Sequence, residues 1–279
     1  MLILKFFQLF ILGIFYYIFN FFYSLIDFFI LFFYCFFKLK ENFFYKVKVY
    51  LAFIMLKFMI FYFYLFMPPR FVSLLEIKKY KLKTYDDQEE DNMGIYKGIG
   101  SYVYGETPYL TIFFIFNDLK RILDNIEYKK VVFIDLGCGV GKPVFFVNLL
   151  FNSFSLGIDN IDTFINKANL IKKILKLNKV FFIKQDVVYF LDNFKDYLKE
   201  FNLEDMKCFI IYLPATAFSK TLLNIIKLKI LNIINTYDYK KFYFIVLSKK
   251  INIGSLNLIY KKDYYFSWFK SSVFFYESI

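Results

Sequence analysis

The sequence predicts an α/β domain built on a nucleotide-binding parallel sheet, and three observations predict it. Val131 to Ile134 is a short β-branched and aromatic run of the kind a buried strand shows. Asp135 follows, then Gly137, Gly139 and Gly141 at alternate positions, then an apolar stretch from Val144 to Phe151 long enough for a helix. A second short run, Phe154 to Ile158, ends in Asp159. Strand, glycine loop, helix, strand and acid, in that order, make the first half of such a sheet.

Each part has a chemical reason. Without a Cβ the loop takes positive φ and lets a ligand lie against its main chain. The first N–H groups of the following helix have no partner inside it. A carboxylate at the end of the second strand accepts both hydroxyl hydrogens of a ribose. The spacing is G-x-G-x-G with an acid two residues before the first glycine, whereas a dinucleotide fingerprint wants G-x-G-x-x-G. Lys142 stands where that third glycine belongs. A glycine turn in some other α/β domain is the plain alternative. The ordered set of strand, acid, glycines and second acid argues against it.

The D-x-G-x-G-x-G pattern resembles the first motif of class I S-adenosylmethionine methyltransferases. The resemblance implies a Rossmann-like seven-stranded sheet over residues 94–279, preceded here by a hydrophobic helical segment. It also implies S-adenosyl-L-methionine as cofactor, with Asp135, Gly137, Gly139, Gly141 and Asp159 around it.

Composition narrows the classes. The chain has 279 residues, enough for one such domain and an extension. Hydrophobic residues make up 59% and aromatic residues 25%, with 43 Phe and 25 Tyr. Phe, Tyr, Ile, Lys and Asn have A/T-rich codons, so part of this richness reflects genomic bias. A net charge of +12 suits nucleic acid, chromatin or anionic lipid. Lys is scattered, however, and only Arg70 and Arg121 carry guanidinium groups, which fits a solvated Lys-rich surface better. There is no His, which removes His-based triads, ligands and general bases. Cys35, Cys138 and Cys208 match no zinc or disulfide spacing, so no metal site is expected. Cys138, inside the glycine loop, reads as a small filler.

Residues 1–67 are unlike the rest. Phe6 to Phe37 and Val49 to Met67 are almost wholly apolar, and Lys38, Lys40, Glu41, Lys46 and Lys48 separate them. About 20 apolar residues span a bilayer. The segment reads as a membrane hairpin, as one span plus an interfacial helix, or as a translated A/T-rich leader without a role. Pro68-Pro69 stops the helix. Residues 68–93, with EIKKYKLKTYDDQEEDN, read as a linker.

Gly94 to Thr107 mixes glycines with tyrosines and reads as a loop. Pro108 suits the first turn of a helix running to about Leu123. The string VYGET, Val103 to Thr107, followed by a helix and then FIDLGCGVGK, resembles the disruptor-of-telomeric-silencing, or non-SET, histone-lysine methyltransferases. The resemblance implies that Tyr104, Glu106 and Thr107 cover the methionine end of the cofactor, with Tyr104 nearest the reaction. Glu106 has an electrostatic rationale there, because the cofactor's ammonium and sulfonium are cationic.

Asp162 to Leu177 has helical periodicity, and Val180 to Ile183 is the third strand. Asp186, just past it, is the adenine residue by resemblance, or a turn or cap residue. Cys208 to Leu213 is the fourth strand. After it, Thr216 offers a hydroxyl and Phe218 walls the acceptor channel by resemblance. The Asn that amino-methylating enzymes often place there is missing, as Pro214-Ala215-Thr216-Ala217-Phe218 shows. A strand-to-helix turn with one packed aromatic is the other reading. Thr221 to Ile234 is a helix, Phe242 to Leu247 the fifth strand, and Tyr264 to Phe269 and Val273 to Tyr276 a closing pair. Trp268 is expected in the core.

Three functions follow. The first is a histone-type lysine methyltransferase in the nucleus. The second is a membrane-associated intracellular enzyme methylating a lysine of an organelle protein. The third is an inactive cofactor-binding scaffold.

Overall fold

Strands buried on both faces set the architecture, because each must find apolar cover on two sides. The structure, a computed structural model, describes residues 32, 43–66, 107–123, 127, 130–266 and 269–279. The chain divides into two compact units, Met1–Lys57 and Phe58–Ile279.

Helix α1 spans Phe43–Phe66 and turns the second expected apolar run into a helix. Val49, Phe53, Leu56 and Ile60 are buried along it, whereas Phe44, Leu51, Met55 and Phe58 are exposed. No helix among the described residues is long and apolar enough to cross a membrane. The expected membrane hairpin therefore finds no support in its second arm, Val49 to Met67. Its first arm lies outside the described residues apart from Phe32, whose ring meets Tyr50 edge-on at 5.3 Å.

The α/β domain then runs α2 (Tyr109–Ile122), β1 (Val131–Leu136), α3 (Lys142–Phe151), β2 (Phe154–Asp159), α4 (Asp162–Ile174), β3 (Val180–Lys184), α5 (Val187–Asp192), α6 (Phe194–Glu200), β4 (Cys208–Leu213), α7 (Lys220–Thr236), β5 (Lys241–Leu247), β6 (Leu256–Phe266) and β7 (Phe269–Ser278). The seven strands lie in the order β3-β2-β1-β4-β5-β7-β6. β1 to β5 are parallel, and β7 enters antiparallel between β5 and β6.

One face of the sheet, carrying Val132, Ile134, Leu156, Phe209, Ile211 and Phe244, packs in a core with α5, α6 and α7 through Phe190, Phe194, Leu222, Ile226 and Ile230. The other face takes α2 and α3 through an aromatic layer. Phe116 of α2 meets Phe133 edge-on at 5.3 Å and lies 6.4 Å from Phe146 and 6.5 Å from Tyr212. Helix α2 is also pinned to β6. Its buried Asp118 accepts from the Lys262 ammonium and the Tyr264 hydroxyl, both at 2.7 Å, and from Arg121 at 3.3 Å.

The closing strands correct the sequence reading. β6 begins at Leu256, well before Tyr264, and ends at Phe266. It is an edge strand, so exposed Lys261, Lys262 and Asp263 are tolerated within it and hide its period. Trp268 lies outside the described residues.

Candidate active site

The chain leaves β1 through α3 toward β2, while β4 lies on the other flank of β1. That reversal opens a crevice at the carboxyl ends of β1 and β4, the place where open parallel sheets bind ligands. The glycine loop fills the bottom of it. Gly137, Gly139 and Gly141 have φ of +84°, +53° and +81°. At Gly141 a Cβ would lie 2.3 Å from the Phe182 ring, so space as well as conformation demands glycine. Pro143 sits in the first turn of α3, where its missing N–H costs nothing.

The loop's donors are spent inside the protein. The amides of Gly137 and Cys138 both donate to the Ile158 carbonyl, at 2.8 and 3.0 Å. The Gly139 amide donates to Asp159 Oδ2 at 2.8 Å, and the Ile161 amide to Asp159 Oδ1 at 2.9 Å. Burial pushes the Asp159 carboxyl up to about 6, against the pull of those amides. Asp135 is also buried, and burial followed by the charge of Asp159 holds its carboxyl well above the usual range. A loop with its amides engaged, flanked by two buried acids, is hostile to phosphate and hospitable to a cationic nucleoside. S-adenosylmethionine, with a sulfonium, an ammonium and no phosphate, fits this donor set.

Thr107 reaches the same edge. Its hydroxyl lies 3.0 Å from that of Tyr212, and both residues are buried. Tyr212 is the register partner of Asp135 across the β1–β4 seam. Burial, and then the Asp135 charge, raise the Tyr212 phenol, so it stays protonated. Phe218 is buried on the other side of the loop, its Cζ 3.4 Å from where a Gly137 Cβ would lie. Thr216 is exposed on the short 3₁₀ turn Ala215–Ala217. Asp186 caps α5, its Oδ1 accepting from the amides of Val188 at 2.8 Å and Tyr189 at 3.3 Å. Tyr104 and Glu106 lie outside the described residues. Among the described residues no acidic, His or Cys group is placed to hold a metal ion.

Sequence reading missed Tyr212 and Phe182. Phe182 crowds both Gly141 and Gly157. The signal for Tyr212 was present: VVFIDL and CFIIYL both carry a polar residue at the fifth position.

The chain is similar to an RNA methyltransferase from Salinibacter ruber solved with S-adenosyl-L-homocysteine, at 15% identity and a TM-score of 0.37, over 58% of this chain and 90% of that one. It is also similar to TrmN from Thermus thermophilus, at 15% identity and a TM-score of 0.44, over 62% and 49%. A comparison with curated protein sequences finds no match. Residues 85–278 match the family model described as histone methylation protein DOT1, which takes in the glycine loop, both acids and all seven strands. By that match, over more than half of its length, the chain belongs to this family of class I S-adenosylmethionine-dependent methyltransferases.

Proposed function

We propose that the chain methylates a lysine side chain of a protein, with a histone in the nucleosome as the first candidate acceptor. The observation that carries this reading is the convergence of Thr107, Asp135, the glycine loop and Phe218 on one crevice. The family description, histone methylation, supports the histone as acceptor.

When bound, the cofactor supplies a methyl group made electrophilic by its positive sulfur. In this reading Asp159 accepts from the ribose hydroxyls, and Asp186 takes the adenine amine through an oxygen its capping role leaves open. Asp135, Glu106, Thr107 and Tyr104 face the amino-acid end, where acids favour an ammonium. Phe218 walls the acceptor channel. An apolar wall excludes water and favours the neutral amine, the form with a lone pair to give. Thr216, exposed beside it, offers a hydroxyl to the arriving chain. In-line positioning in such a channel supplies much of the rate.

A second acceptor, a lysine of a non-histone protein, is favoured by the segment Pro214–Phe218, which holds no side-chain amide to orient the amine. Methyl-labelled cofactor with the full chain, offered nucleosomes and a mixture of other lysine-rich proteins, separates these readings. Label on histone lysine supports the first and label elsewhere the second. Binding of S-adenosylhomocysteine without transfer to any acceptor points to a scaffold.

A further inference from the structure

The aromatic layer between α2 and the sheet contains one hydroxyl that packing does not explain. Tyr212 lies 6.5 Å from Phe116 and 6.1 Å from Phe133, contacts a phenylalanine would make equally well. A phenol oxygen in such a layer is costly unless it is bonded. Its partner is the hydroxyl of Thr107, 105 positions away in sequence. Thr107 lies two residues before α2, which is held to β6 by the Thr111 hydroxyl of its first turn, donating to the Tyr265 carbonyl, and by Asp118 further along. Tyr212 therefore fixes the segment ahead of a helix that β6 already holds.

We propose that Tyr212 is a positioning residue of the cofactor site: its hydroxyl holds the Thr107 hydroxyl at the carboxyl edge of β1 and β4, so that Thr107 turns its remaining hydrogen-bonding capacity toward the amino-acid end of the cofactor. This rests on the reading that Thr107 touches the cofactor. A threonine hydroxyl carries one hydrogen and accepts twice, so a bond to Tyr212 leaves it capacity for a ligand. The Tyr212 phenol, kept protonated by its surroundings, makes the same bond across the physiological pH range.

The test uses the full chain and two probes, S-adenosylhomocysteine and 5′-methylthioadenosine, which keeps the nucleoside and lacks the amino acid. Calorimetry is run on wild type, Tyr212→Phe, Thr107→Val and the double variant. Tyr212→Phe should weaken S-adenosylhomocysteine about fivefold to tenfold, as loss of one buried hydrogen bond does. It should leave methylthioadenosine unchanged, which a general loss of structure would not. The double variant should bind no more weakly than Thr107→Val, because the two act through one bond. In the ligand-free chain, amide exchange at Tyr109–Ile112 should quicken in both single variants, which reports the bond without any cofactor. Equal binding of S-adenosylhomocysteine by Tyr212→Phe and wild type overturns the proposal, as do additive single effects. Thr107→Val tests the underlying reading separately. Binding lost there but intact in Tyr212→Phe leaves the site standing and removes the role of Tyr212.

Discussion

Asp159 holds the glycine loop before any ligand does: its Oδ2 accepts from the Gly139 amide at 2.8 Å, while Oδ1 accepts from the Ile161 amide. The acid offered to the ribose is thus also the brace between β2 and the loop. Burial lifts it from 3.8 to about 6. The unfolded chain gives up this proton near the lower value and the folded chain keeps it to the higher one. The group is therefore fully compatible with folding below about pH 4, and stability falls as pH rises toward 6, by about 3 kcal/mol. Urea unfolding of ligand-free wild type and Asp159→Asn between pH 4 and 7 should show the variant gaining on wild type through that window. A constant difference would refute the assignment.

Gly157 of β2 has ordinary backbone angles, yet a Cβ there would lie 2.8 Å from both the Cys138 sulfur and the Phe182 ring. Gly157→Ala should cost about 1–3 kcal/mol by overpacking and weaken S-adenosylhomocysteine, because Cys138 belongs to the loop. Adding Phe182→Ala should recover part of the stability, with unequal sums in a double-mutant cycle.

Asp186 separates capping from ligand contact. Asp186→Asn keeps a good cap and Asp186→Ala loses it, for about 1 kcal/mol. The alanine variant should melt about 2–4 °C lower, the asparagine variant close to wild type. If the carboxylate also meets the adenine, both variants should bind S-adenosylhomocysteine more weakly. Wild-type affinity in the asparagine variant would leave Asp186 a cap alone.

Phe116 is 1% exposed and touches the rings of Phe133, Phe146 and Tyr212. Phe116→Ala should cost about 3–5 kcal/mol in a denaturant titration, and Phe116→Leu much less. Equal costs would show that the layer is not tightly packed there.

Much of this was readable beforehand. The central parallel strands are buried on both faces, so VVFIDL, CFIIYL and KFYFIVL stand out as continuous apolar runs: the expected bounds hold for CFIIYL, move by one residue for KFYFIVL and by two for VVFIDL. The glycine loop and Asp159 were readable because one short segment carries the whole pattern. β6 was not, since an edge strand facing solvent admits Lys261, Lys262 and Asp263 without penalty. Tyr212 was not, because inside an apolar strand it looks like core, and its partner is more than a hundred residues away. Asp186 showed both of its possible tasks in sequence, and the cap is the one the geometry displays.

The pin between Asp118 and β6 has a consequence for the order in which the protein is made. A chain emerging from the ribosome has completed β1 to β5, and with them the glycine loop and both acids, before Lys262 and Tyr264 exist outside the tunnel. Until they arrive, Asp118 keeps only Arg121 of its own helix as a partner, and α2 lacks its tie to the last strands. Thr107 then has Tyr212 of β4 to meet, but the helix that follows it is not yet fixed to β6. The nascent domain therefore holds an early-made binding floor whose upper boundary waits for the last strands, so a chain truncated before β6 is expected to carry the whole sequence motif and still lack a finished site.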